Sequence, residues 1–195
     1  MGTPPVSKSK EIPLRADAQR NRDKILAAAV RMFADEGLDT HLERIAKEAG
    51  VGSATLYRNF ATREALIEAV YRNEVAQLCD AVPGLLAAKP PYEALHAWTR
   101  LFLDYVTTKY GMIDALRAIA AAGDSPYGQS RDMIRAAITA LMDPCVAAGA
   151  IRTDISPADL ATALEGIALT SAKPEQRERA ERLLDLTLDG LKISA

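Results

Sequence analysis

Leu42-Glu43-Arg44-Ile45-Ala46-Lys47-Glu48-Ala49-Gly50-Val51-Gly52-Ser53-Ala54-Thr55-Leu56-Tyr57-Arg58-Asn59-Phe60 is the stretch that decides the fold. Leu42, Ile45, Ala46 and Ala49 recur at helical spacing, and Gly50 stops the run. Ser53 to Asn59 reads as a second short helix, with Leu56 and Phe60 facing inward. Two short helices joined at a glycine and packed at a steep angle make a helix-turn-helix. Ala46 is small where the two cross, Gly50 permits the positive φ of a tight turn, and Val51 and Leu56 fill the wedge. The second helix then projects Ser53, Ala54, Thr55 and Arg58 outward. Small side chains at its front allow close approach to base edges in a major groove, where a threonine reads a base or a thymine methyl. Tyr57, Arg58 and Arg63 are placed for phosphates. Arg22, Arg44, Lys47 and Asn59 complete the expected DNA-binding set, with Lys47 directed to phosphate or solvent.

Outward from this pair, the pattern stays helical. Upstream, Ile25, Leu26, Ala29, Met32 and Phe33 predict a helix from near Asp17 to Gly37. Its start is basic, with Arg15, Arg20, Arg22 and Lys24. Thr40-His41-Leu42-Glu43 has the form of a capping box. Downstream, Thr62 is placed to cap a longer helix bearing Leu66, Ile67, Val70 and Tyr71. Pro83-Gly84 and Lys89-Pro90-Pro91 bracket a break. Helices follow over about 92–109, 112–121 and 130–148, the last with Pro144 inside it, and Gly123 to Gly128 is turn-rich. Pro157 and Pro174 open the last two, over about 157–171 and 174–192. In the final helix Ala180, Leu183, Leu184, Leu188 and Leu191 form an apolar stripe. No stretch alternates with period two and no internal repeat is present. The fold class is therefore all-α, with about nine helices and no sheet.

Composition agrees. At 195 residues the chain accommodates a small domain fused to a larger one. Apolar residues at 49 % and charged residues at 26 % suit a soluble globular protein. Aromatics at 5 %, beside abundant alanine, favour helix over sheet. No apolar run approaches the ~20 residues of a membrane span, and Met1 to Lys10 lacks the apolar core of a signal peptide. A cytoplasmic location, with no membrane partner, is the expectation. Up to residue 63, 11 Lys and Arg stand against 8 Asp and Glu; beyond it, 13 stand against 18. Only the N-terminal end is suited to a polyanion.

Ile45 to Phe60, continued by Thr62-Arg63-Glu64-Ala65-Leu66, resembles the recognition motif of the TetR family of regulators. The resemblance covers roughly residues 17–70; beyond them it is architectural. Gly52 stands where the family usually has serine, Ala54 for glycine, Asn59 for histidine and Arg63 for lysine. The link from Gly37 to Ile45 is also one residue short, and these departures bear on the target sequence. The resemblance implies a homodimer, paired through the last two helices, that binds a palindromic double-stranded DNA operator. It also implies release by a small-molecule effector, hence a repressor. The expected organisation is a disordered tail over 1–14, a three-helix DNA-binding domain over 15–61, and a helical ligand-binding and dimerisation domain over 62–195.

Trp98, Phe102, Tyr105, Met112, Leu116, Met133 and Leu141, with Ile134, are candidates to line an apolar ligand cavity, and they serve equally as ordinary core. His96 and Thr99 offer polar contacts, or His96 is surface. Enzymatic chemistry has no support. His41 and His96 lack metal-ligand spacing with Cys79 or Cys145, no phosphate-binding glycine loop is present, and no cofactor is expected. The two cysteines suit a reducing compartment, and a redox-sensing role for them stays open. Two other readings fit the same residues: an activator or auxiliary-protein-controlled relative without a small-molecule inducer, and a helical enzyme or interaction module that does not use DNA.

Overall fold

The computed structural model describes the backbone of residues 11–123, 127–170 and 174–193, and their side chains except those of 11–15 and 174. Among the described residues there are nine α-helices and no strand beyond a single bridge between Ile151 and Lys192. The chain divides into two compact units, one up to Val70 and one from Tyr71. The expected boundary at residues 61–62 falls just before a helix whose first two turns, with buried Leu66, Ile67 and Val70, belong to the first unit.

In the first unit, α1 (Glu11–Glu36) buries Ile25, Leu26, Ala28, Ala29 and Phe33. It starts six residues before Asp17, so 11–14 are helical while 1–10 of the expected tail lie outside the described residues. Pro13 is no obstacle there, because the first four N–H groups of a helix have no intrahelical partner. Gly37 at φ +83° ends the helix. α2 (Leu42–Glu48) and α3 (Ser53–Asn59) follow, and α1, α2 and α3 all pack on one another. The capping box at Thr40 does not form. His41 is the N-cap of α2 and its carbonyl accepts from Arg44 and Ile45. Thr40 lies one residue too early, and its hydroxyl donates to the Gly37 carbonyl at 2.9 Å instead.

α4 (Arg63–Ala88) is capped as expected, with the Ala65 N–H donating to the Thr62 hydroxyl at 3.1 Å. It runs through Pro83-Gly84, and the break that the sequence brackets between Pro83 and Pro91 falls at 89–90. A proline inside a helix costs about 3 kcal/mol. Burial of Val82 and partial burial of Leu85 and Leu86, at ~1.5–3 kcal/mol for a fully buried side chain, outweighs that. α5 (Pro91–Gly111), α6 (Ile113–Ala121), α7 (Tyr127–Ala147), α8 (Pro157–Thr170) and α9 (Arg177–Asp189) complete the second unit, with a 3-10 turn over Pro174–Gln176. α7 thus begins inside the expected turn and takes in Gly128. α5 packs on α7 and α9, and α8 packs on α7 and α9. Among the described residues no helix is long and apolar enough to cross a membrane.

Candidate nucleic-acid interface

The turn between α2 and α3 is built by backbone hydrogen bonds around one glycine. The Gly50 N–H donates to the Lys47 carbonyl at 3.1 Å and the Val51 N–H to the Ala46 carbonyl at 3.0 Å. This is a Schellman closure, and it requires the left-handed φ of +67° that Gly50 adopts. Val51 is half-buried, Ala46 and Leu56 are buried, and Phe60 closes the end of α3. Gly52, at φ −71°, starts α3 without a side-chain cap, and its carbonyl accepts from Thr55 and Leu56.

α3 therefore turns one face to solvent. Ser53, Ala54, Tyr57 and Arg58 are exposed, while Thr55 and Asn59 are half-buried beside them. Arg58 lies back along its own helix, with Nη2 donating to Thr55 Oγ1 at 3.0 Å and Nε to the Ala54 carbonyl at 3.2 Å. Asn59 Nδ2 donates to the Thr55 carbonyl at 2.8 Å. The Tyr57 hydroxyl reaches across the turn and donates to Glu43 Oε1 at 2.7 Å. That bond holds the Glu43 carboxyl below the usual carboxylate range and pushes the Tyr57 phenol up. Lys47, on α2, is exposed and makes no ion pair among the described residues.

Three of the arginines expected at DNA are occupied inside the unit. The Arg22 guanidinium stacks 4.6 Å from the Phe60 ring centroid. Arg44 grips the Glu36 carboxylate with both terminal nitrogens, at 2.6 and 2.7 Å. Arg63 Nη1 donates to the Leu38 carbonyl and, at 2.7 Å, to that of Thr40, fixing the link between α1 and α2. Glu43 was invisible as a partner in the sequence: it lies 14 residues from Tyr57, a separation with no helical meaning.

In the second unit, Trp98, Phe102, Tyr105, Met112, Leu116 and Leu141 are buried, whereas Met133 and Ile134 are half-buried. Trp98, Phe102 and Tyr105 stack in a row with successive ring centroids 5.8 Å apart, and the indole N–H donates to the Leu78 carbonyl at 2.8 Å. A shallow groove of about 500 Å³ on the outer face of α7, lined by Asp132, Arg135, Thr139 and Asp143, uses none of them. His96 pairs with Asp185 at 2.8 Å, and the Thr99 hydroxyl is spent on the His96 carbonyl. Burial pushes both Cys79 and Cys145 thiols up, which disfavours the reactive thiolate. Among the described residues no group of His, Cys, Asp and Glu is placed to hold a metal. Lys109 sits one helical turn after Tyr105 and faces three tyrosines, two of them on other helices and so without a spacing signal in the sequence.

Residues 25–70 match the family model described as bacterial regulatory proteins, tetR family. Residues 90–193 match one described as transcriptional regulator SbtR-like, C-terminal domain. A TetR transcriptional regulator from Streptomyces coelicolor, of known structure, is 70 % identical, with 89 % of this chain and 99 % of that one covered at a TM-score of 0.83. A TetR regulatory protein from Mycobacterium vanbaalenii is 33 % identical, covering 93 % and 100 % at a TM-score of 0.74. An HTH-type transcriptional regulator from Staphylococcus aureus is 38 % identical over 94 residues, 48 % of this chain and 49 % of that protein. The chain thus spans about half the length of the curated relatives it matches.

Proposed function

The chain belongs to the TetR family of bacterial regulators, and we propose that it is a homodimeric repressor, released from a palindromic DNA operator by a small molecule. The observation that carries the DNA-binding part is the solvent-facing front of α3. Ser53, Ala54, Tyr57 and Arg58 stand exposed on a helix whose back is locked by Leu56 and Phe60. In this reading Ser53, Ala54 and Thr55 meet base edges, while Lys47, Tyr57 and Arg58 meet phosphates. Arg22, Arg44, Asn59 and Arg63 hold the reading helix in place rather than touch DNA.

Support for dimerisation through α8 and α9 comes from exposed leucines. Leu169 at the end of α8 is 84 % exposed and Leu186 on α9 is 70 % exposed. Large apolar groups left open on adjoining helices favour burial against a second copy. A two-fold dimer requires half-sites about one helical turn, ~34–36 Å, or a multiple apart. Release then follows if the effector binds better to a state whose reading heads no longer match that spacing.

The test is to incubate the protein with fragmented genomic DNA at ~0.15 M salt, a concentration that suppresses purely electrostatic association, and sequence what is retained. Enrichment of one short palindrome is the expected result. Recovery of fragments with no shared sequence overturns the reading. Arg58→Ala should weaken binding to every sequence and flatten the salt dependence by about one unit of slope, whereas Thr55→Val should change the preferred sequence.

A further inference from the structure

Lys109, in the last turn of α5, holds its ammonium among three tyrosine rings. Its Nζ is 5.4 Å from the ring centroid of Tyr127, 5.9 Å from that of Tyr105 and 6.0 Å from that of Tyr71. The rings also pack on each other, with Tyr71 6.3 Å from Tyr105 and edge-on to Tyr127 at 5.8 Å. Tyr71 and Tyr105 are buried and Lys109 is half-buried. No carboxylate lies within ion-pair distance of Lys109 among the described residues; burial, with the Arg131 charge, pulls its ammonium below the usual lysine range, and Glu165 on α8 only partly offsets this. The Tyr127 hydroxyl is buried with no hydrogen-bond partner among the described residues. The ring faces attract the ammonium, but no carboxylate pairs with it among the described residues and the buried Tyr127 hydroxyl lacks a partner, which carries a cost in the free protein.

We propose that this cluster is the head-group site for an organic carboxylate. The inference rests on the effector-controlled reading above and names the chemistry of that effector. A carboxylate supplies the two acceptor oxygens that the Lys109 ammonium and the Tyr127 hydroxyl lack. Burial raises the Tyr127 phenol, so it stays protonated and able to donate, while the Tyr105 hydroxyl is engaged with Tyr71. A neutral ligand leaves the ammonium unpaired, and a cationic one meets it head on. The walls of the cluster are themselves aromatic rings, so the ligand's body next to the head group is apolar or aromatic.

The test uses the full chain without DNA, so its failure leaves the DNA reading standing and the failure of DNA capture leaves this one standing. Thermal midpoints and the fluorescence of Trp98, the single tryptophan, are followed with sodium octanoate and sodium hydrocinnamate as probes. Octanamide, octylamine and phenyl phosphate are the controls. Octanoate or hydrocinnamate should raise the midpoint, and the controls should not. Lys109→Met should weaken the carboxylate at least about tenfold, and Lys109→Arg should restore part of the loss. Tyr127→Phe removes an unpaired buried hydroxyl, so the free protein should lose no stability while carboxylate affinity falls several-fold. That opposite pair of effects keeps the proposal testable even where Lys109→Met folds poorly. Binding of neither carboxylate, equal binding of octanamide, stabilisation by octylamine, preference for phenyl phosphate, or unchanged affinity in Tyr127→Phe overturns it.

Discussion

Alanine at Gly50 is the sharpest perturbation available, because only the backbone is at stake. A Cβ built on Gly50 meets nothing within 4 Å, so crowding contributes no cost. The φ of +67° remains, and an L-residue held there costs roughly 1–2 kcal/mol. Alanine also stiffens the unfolded chain, which returns about 0.4–1 kcal/mol. The net expectation is a loss of about 1 kcal/mol. Gly84, exposed in α4 and also open around its Cβ, is the control. There the helix is retained and Gly84→Ala should gain about 0.5–1 kcal/mol. The same chemical change therefore carries opposite signs at two positions. Gly50→Asn should recover most of the loss, since asparagine tolerates the left-handed region. Urea unfolding followed by far-UV circular dichroism reads the difference. With slopes of about 1–3 kcal/mol per molar urea, 1 kcal/mol moves the midpoint by roughly 0.3–1 M. Because the Gly50 turn orients α3, DNA affinity should fall with it. A Gly50→Ala protein as stable as the parent, or shifted in the same direction as Gly84→Ala, refutes the argument from the turn.

Arg63→Met removes a half-buried charged donor from two carbonyls and should cost about 1.5–3 kcal/mol in the same urea experiment, with Arg63→Lys intermediate; no measurable loss means that Arg63 does not clamp the α1–α2 link. The Glu43 carboxyl is held low chiefly by Tyr57, so its contribution is present above the ordinary carboxylate range and fades as pH falls through the lowered value. Tyr57→Phe should accordingly flatten the fall in stability of the first unit as pH drops below the ordinary carboxylate range, and an unchanged slope dismisses the bond. Glutamate at both Leu169 and Leu186 should convert a dimer to a monomer in analytical ultracentrifugation without loss of helix; a persistent dimer moves the interface elsewhere.

The sequence carried most of the backbone. Ser53 to Asn59 is a helix with the bounds that its Leu56 and Phe60 spacing predicts, and Gly50 takes the positive φ expected of the turn. Proline starts a helix at Pro157 and at Pro91, as its spacing predicts, but Pro83 does not interrupt α4. The reason is that proline's local cost is visible in sequence, while the burial of Val82 that offsets it is tertiary. Thr40 and Glu43 have the spacing of a capping box, yet each found a better partner: the Gly37 carbonyl for one, the Tyr57 hydroxyl for the other. Lys109 was legible only as a charge on α5, because two of its tyrosines come from α4 and α7.

The arginines show what a charge count leaves out. Counting charges treats every one alike and arrives at a modest basic surplus. Within the first unit, Arg20, Arg31 and Arg44 are paired with Asp17, Glu48 and Glu36, while Arg22 and Arg63 are turned to a ring and to carbonyls. Among the described residues, the exposed cations left without a carboxylate are Lys24, Lys47 and Arg58. Lys47 and Arg58 lie on either side of the Gly50 turn, so the positive field is focused at the reading helix rather than spread over the unit. Each phosphate contact releases roughly 0.9 of a counterion, so two or three contacts give a single head only a weak, salt-sensitive hold. Joining two heads converts the second contact into an intramolecular one and multiplies affinity without new chemistry, provided the half-sites match the spacing. In the dimer proposed above, sparse cations make the spacing of the two heads, and whatever alters it, the natural point of control.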